Sequence, residues 1–210
     1  MNHLFAVGLR RASTTTYRNG SGIIARYSAA ASTPSSQDVN NNEIDHFQIL
    51  GLDRTFTIAR GNLKTKYKHL MKDLHPDRYA TATQEVMAEK AAMATDVTRA
   101  YSVIGDPLLR ALHLLELYGT PIEEMNDQSI IDHNLLFEVM EIREEIEDAS
   151  SDEELRPILQ SSLAKKDELI DELAGAFREE NIDDAKRITA KLQYWARIEE
   201  TIVEKMQSVS

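Results

Sequence analysis

An all-α fold in two modules, an N-terminal helical hairpin followed by a C-terminal antiparallel three-helix bundle, is predicted by three features of the sequence. Glycine and proline are scarce, 8 and 5 in 210 residues, while Ala, Leu, Glu and Lys abound, a composition that favours helix nearly throughout. No run alternates apolar and polar residues as a half-buried strand would. Apolar residues instead recur at three- and four-residue spacing, in long stretches separated by short polar breaks. With 42% hydrophobic residues the chain can bury a core, yet no stretch is long and apolar enough to span a membrane.

Composition also removes whole classes of chemistry. There is no cysteine, so disulfides, thiol catalysis and cysteine-ligated zinc or iron–sulfur sites are excluded. The 6 histidines include no H-E-x-x-H or other close ligand spacing. The net charge of −11 argues against a broad nucleic-acid surface. That charge is unevenly spread. Before Asp38 there are four arginines (Arg10, Arg11, Arg18, Arg26) and no acid, which leaves 20 basic against 35 acidic residues in the remainder, a net of −15. Arg-rich, Ser-rich and acid-free, with Leu4, Phe5, Val7 and Leu9 as a short apolar start, residues 1–28 have the composition of a mitochondrial presequence rather than of a plain polar tail. Arg26-Tyr27-Ser28 resembles the sites cut by the matrix processing peptidase. Residues 29–43, rich in Ser, Ala and Asn, read as a linker.

The elements follow in order. His46 to Leu50 forms a short apolar turn stopped by Gly51. A helix is predicted over 57–74, with Leu63, Tyr67, Leu70 and Leu74 as its buried stripe. Arg60, Lys64, Lys68 and Lys72 recur every four residues and stack into a column beside that stripe. Such a column repels itself, so in an acidic protein it is either a merely solvated face or the counterpart of an acidic partner. Gly61 weakens this helix by about 1 kcal/mol relative to alanine.

Pro76 cannot extend the helix, because it lacks an N–H and its ring clashes with the preceding turn. His75-Pro76-Asp77 therefore sets an imidazole and a carboxylate side by side at a hairpin tip. The same three letters also occur in ordinary turns, with proline as breaker and aspartate as cap. A second helix over 82–104, with Ala91, Ala94, Val97, Tyr101 and Ile104 facing the core, returns along the basic one. Gly105 is expected to end it in the left-handed conformation. Asp106 and Pro107 then open the next helix as cap and first residue, and that helix stops at Gly119-Thr120-Pro121.

Beyond a connecting loop at 120–129, three amphipathic helices occupy 130–208. The first covers 132–148. Ser151 and Glu154 form a capping box for the second, which runs to about Glu179 and contains Pro157, where a slight bend is expected. Asn181 caps the third, which ends near Gln207. Leu155, Leu159, Leu169, Leu173 and Phe177 line the second, and Ile188, Leu192, Trp195, Ile202 and Met206 the third. On the first, Leu135, Val139, Ile142 and Ile146 share one face, while Leu136, Phe137 and Met140 lie off it beside Glu141, Arg143 and Glu144. Tyr194 lies off the Trp195 stripe in the same way. Surplus apolar residues ringed by charge are either a protein-docking patch or the second buried face of a helix wedged between modules.

The order of a short helix, a basic helix ending in His75-Pro76-Asp77, then Ala100-Tyr101 and Asp106-Pro107, resembles the J-domain of DnaJ-type co-chaperones, here 44–119. The run Leu135 to Glu145, with Pro107 to Ala111 and Lys191 to Tyr194, is similar to the HscB-type J-proteins of iron–sulfur cluster biogenesis. The resemblance covers nearly everything after the linker. It implies an ATPase activator with no catalysis of its own, working in the mitochondrial matrix. One partner would be a mitochondrial DnaK-type chaperone, contacted by His75, Pro76, Asp77, Lys64 and Lys68. The other would be the cluster scaffold protein, contacted by Leu136, Phe137, Met140, Glu141, Glu144 and Tyr194. His69 stands where relatives often carry a basic residue, and Thr98 replaces the asparagine usual before Ala-Tyr. Some relatives add a cysteine zinc module that this chain lacks, so no metal or other cofactor is implied, nor any nucleic acid or membrane. Two other readings of the residues stand beside this one. A general J-protein would usually carry glycine-rich linkers or client domains. An enzyme using His75 with Asp77 as an acid–base pair would need a concave site, which a hairpin tip does not supply.

Overall fold

The computed structural model describes residues 44–122 and 133–209. The leader with its processing motif, the linker, most of the connecting loop, and Asp132 lie outside the described residues. Among the described residues there are seven α-helices and no strand. They are α1 (His46–Leu50), α2 (Arg60–Asp73), α3 (Gln84–Gly105), α4 (Pro107–Leu117), α5 (His133–Asp148), α6 (Asp152–Arg178) and α7 (Ile182–Val209), with a 3₁₀ turn over Pro76–Tyr79 between α2 and α3.

Polar side chains start most of these helices. Asp45 accepts the Phe47 and Gln48 N–H groups at the head of α1. Thr83 caps α3, and Asp106 accepts the Leu109 N–H at 2.9 Å with Pro107 in the first position of α4. Ser151 accepts the Glu154 N–H, as the capping box requires, but the Glu154 carboxylate reaches past it to the Ser150 N–H at 2.6 Å. Asn181 Oδ1 accepts the Asp184 N–H at 3.2 Å. Among the helices whose preceding residue is described, the exception is α2. It starts three residues later than its pattern predicts, at Arg60, behind Ala59, which has no capping side chain.

Gly105 departs from expectation. It is the last helical residue of α3 and does not adopt positive φ, because Asp106 follows directly in extended conformation and opens α4, so no left-handed residue is needed. The left-handed position falls instead at Gly119, where the Gly119 and Thr120 N–H groups bond back to the Glu116 and Leu115 carbonyls, both at 2.9 Å. At the end of α6 the same motif is built on Glu180, at φ 55°.

α2 and α3 form the predicted hairpin, and α1 packs across α3. Only Leu63 of the expected α2 stripe is fully buried. Tyr67, Leu70 and Leu74 are half-buried, and on α3 Ala91 is exposed, because the hairpin thins toward its tip and no third element covers it there. Tyr67 stacks on Tyr101 with ring centroids 4.2 Å apart.

The helix wedged between hairpin and bundle is α4, not α5. Every residue from Leu108 to Leu115 is buried, Arg110 and His113 included, and the helix packs on both α3 and α7. A helix apolar all round belongs in an interior. Its charged member lies flat, with the Arg110 guanidinium 4.9 Å from the Phe56 ring centroid, and Phe56 in turn stacks on Phe177 of α6 at 5.2 Å. Tyr118 flanks the same ring at 6.5 Å. Beyond this aromatic seam, α6 and α7 run antiparallel, joined by a short turn, and share the Leu155, Leu169, Leu173, Ile188, Leu192, Trp195 and Ile202 core. Leu159 and Met206, expected in that core, are only half-buried. α5 lies along α7, with Leu135, Val139 and Ile146 buried. Lys205 donates to the Ile146 and Glu147 carbonyls at its C-terminal end.

Candidate functional site

The hook at the hairpin tip is built by a helix that must stop. Pro76 opens the 3₁₀ turn, and His75 caps it in extended conformation, its Nδ1 accepting the Asp77 N–H at 3.3 Å. A neutral His75 in this arrangement carries its proton on Nε2, directed away from the turn. Asp77 Oδ2 lies 3.6 Å from the same Nδ1, an ion pair available only to the imidazolium. The side chains are 59% and 90% exposed, respectively, so both are open to a partner. α4 leaves from the other end of the hairpin. Fourteen residues of α2 therefore set the tripeptide roughly 20 Å along the hairpin from the aromatic seam. Arg60, Lys64, Lys68 and Lys72 are all exposed along this helix. His69 is exposed too, its Nδ1 3.3 Å from Asp73 Oδ2.

The second feature is on α5. Leu136, Phe137 and Met140 are 41%, 67% and 59% exposed, whereas Leu135, Val139 and Ile146 on the opposite stripe are buried and Ile142 half-buried. The surplus apolar residues thus stay largely uncovered by the described helices. The first two lie one helical turn before Met140, and exposed Glu141 and Glu144 continue the ridge. Tyr194 is half-buried on α7. From the Lys205 bonds at the end of α5, eleven residues back along each of these two parallel helices leads to Tyr194 on one and Leu135 to Leu136 on the other. Tyr194 therefore stands level with the start of the patch.

The sequence reading missed what holds the hook. Arg78 and Tyr79, just past the tripeptide, fold back on Asp73 at the end of α2. No periodicity marks these residues, because they meet only once the chain has reversed. Among the described residues no group of histidines and carboxylates is arranged to hold a metal ion.

Fold and surface together define a J-protein: a hairpin presenting His-Pro-Asp at its tip, fused to a helical bundle with an exposed apolar ridge. A family profile described as the HSCB C-terminal oligomerisation domain matches residues 131–203. The human iron–sulfur cluster co-chaperone protein HscB is 32% identical over 158 residues, spanning 75% of this chain and 67% of that protein. The mitochondrial J-type co-chaperone jac1 of Schizosaccharomyces pombe is 32% identical over 149 residues, 70% of this chain and 64% of that one. The crystal structure of human HscB superposes with a TM-score of 0.72 at 31% identity, covering 80% of this chain and 84% of that one. The chain belongs to the HscB iron–sulfur cluster co-chaperone family.

Proposed function

We propose that this protein is a mitochondrial matrix co-chaperone that delivers an iron–sulfur cluster scaffold protein to a DnaK-type chaperone and triggers that chaperone's ATPase, with no catalysis of its own. One observation carries the reading: two exposed surfaces of different chemistry, an anionic hook beside a cationic column and an apolar ridge bordered by acids, stand on separate modules of one chain. Asp77 supplies charge-assisted hydrogen bonds to the chaperone, His75 a second polar contact and Pro76 the fixed turn. Lys64 and Lys68 steer an acidic chaperone surface into place. Leu136, Phe137, Met140 and Tyr194 grip the scaffold protein, with Glu141 and Glu144 setting its orientation. ATP hydrolysis closes the chaperone on the scaffold and favours release of the cluster, which is cargo and not a cofactor. Because both partners are held on one chain, the effective concentration of each for the other rises and two modest interfaces suffice. The acid-free leader supports import into the matrix.

The test separates the two surfaces. Asp77→Asn abolishes stimulation of chaperone ATP turnover while scaffold affinity persists. Leu136→Ala with Met140→Ala does the reverse. Undiminished stimulation by the first variant, or undiminished scaffold binding by the second, removes the role assigned to that surface.

A further inference from the structure

The residues flanking the tripeptide close on one another at a single point, Asp73. Arg78 Nη1 donates to its Oδ1 at 2.7 Å, and the Tyr79 hydroxyl donates to its backbone carbonyl at 2.7 Å. Lys90 of α3 stands 5.7 Å from the centroid of the same tyrosine ring. The Arg78 N–H also bonds to the His75 carbonyl at 3.0 Å. These contacts make a closed loop from the end of α2, through the tripeptide, and back. No residue of the 3₁₀ turn is fully buried and only Tyr79 is half-buried, against α3, so the order of the turn leans on these polar contacts.

We propose that Asp73 is a positioning residue for the hook, holding Arg78 so that the Asp77 carboxylate stays preformed and free. This rests on the reading of the tripeptide as the chaperone-docking element. Two physical consequences follow from the geometry. A hook already ordered before docking does not lose side-chain freedom at that moment. And without Asp73, the carboxylate next to Arg78 in the chain is Asp77 itself, so the freed guanidinium competes for the group the chaperone must bind. The Asp73–Arg78 pair is half-exposed at both ends and adds little to stability, so its removal acts on docking and not on folding.

The test uses the full chain and ATP turnover by a mitochondrial DnaK-type chaperone, titrated with four proteins: wild type, Asp77→Asn, Asp73→Asn and Asp73→Asn with Arg78→Gln. For Asp73→Asn the half-maximal concentration rises roughly three- to tenfold, from ordering a side chain at docking together with competition by the freed guanidinium. Maximal turnover is unchanged, and the melting midpoint stays within about 2 °C of wild type. In the double variant no stray cation remains beside Asp77, and the half-maximal concentration falls from that of Asp73→Asn part of the way back toward wild type, the ordering cost remaining. A titration of Asp73→Asn that superimposes on wild type, while Asp77→Asn is inactive, overturns the positioning role alone. A double variant weaker than Asp73→Asn also overturns it, since Arg78 would then act on the chaperone directly. Full stimulation by Asp77→Asn brings down the docking reading and this proposal together.

Discussion

Acid should loosen this fold through one residue, His46. Its ring is buried between α1 and α4, 4.7 Å from the His113 ring, and its Nδ1 has no hydrogen-bond partner. Burial, then the neighbouring His113 and Arg99, hold its pKa down at about 4, against the opposing pull of Glu116 and Asp45. His113 Nε2 accepts the His46 N–H at 3.1 Å and its Nδ1 lies 3.5 Å from the Glu116 carboxylate, so the ring also pins α1 to α4. The sign follows from linkage. The folded pKa lies below the unfolded value of 6.5, so the unfolded chain takes up the proton first. The contribution is complete above pH 6.5 and is lost progressively as pH falls toward 4. At pH 5 the loss is about 2 kcal/mol from the two pKa values, and about 1–2 kcal/mol once residual solvation is allowed for.

Other groups titrate nearby and must be separated. Asp45 resists the upward push of burial because Arg54 and two backbone N–H groups hold its carboxylate below the usual range, so its contribution is lost only at lower pH. Glu200, raised by burial and by Glu204, acts in the opposite sense and recovers stability as it protonates. The difference between wild type and His46→Phe removes both. Urea unfolding at pH 7 and pH 5, followed by the fluorescence of the single tryptophan, buried Trp195, gives that difference directly. Equal losses in the two proteins between these pH values would falsify the assignment to His46.

Three further outcomes test the backbone and the seam. Glu180→Gly relieves a left-handed residue at the end of α6 and raises stability by about 0.5–1 kcal/mol after the extra freedom of glycine in the unfolded chain is counted; a loss in urea unfolding would contradict the motif. Gly61→Ala meets nothing within 4 Å of the added methyl and gains up to about 1 kcal/mol in the same assay, and no gain would mean α2 is not limited by helix propensity. Phe177→Ala opens the stack with Phe56 and Tyr118 and costs about 3 kcal/mol. Because that ring lies on the seam, Trp195 fluorescence and far-UV ellipticity should then cease to report one coincident transition. Persistence of a single transition would refute a seam dependent on this ring.

How much of this was legible in the sequence depends on whether the deciding interaction is local. The turn at His75-Pro76-Asp77 follows from proline chemistry within three residues, and the caps at Asp106, Ser151 and Asn181 each act within one helical turn. Off-stripe residues such as Leu136 and Met140 follow from angles around a single helix, so their exposure could be anticipated, though not that α4, rather than α5, would take the wedge. The role of α4 was obscured because Arg110 and His113 break its apolar run in sequence. In the fold the guanidinium lies on Phe56 and the imidazole accepts a backbone N–H from α1. Both partners are more than fifty residues away along the chain. Gly105 misled for the converse reason, since a glycine after an apolar run permits a left-handed stop without requiring one.

The wedge also bears on how two surfaces on one chain can cooperate. If a slack tether joined hairpin and bundle, the concentration each partner experiences would follow from chain length alone. Here α4 is sheathed on one side by α3 and on the other by α7, with the Arg110, Phe56, Phe177 and Tyr118 ladder across the gap. Turning one module against the other would expose the buried Phe56 and Phe177 rings, each contributing roughly 1.5–3 kcal/mol. The hook and the apolar ridge are therefore held at one spacing by packing. On the function proposed above, a partner gripped at the ridge would be presented to the hook's partner from a preferred direction, a geometric selectivity that neither surface has by itself.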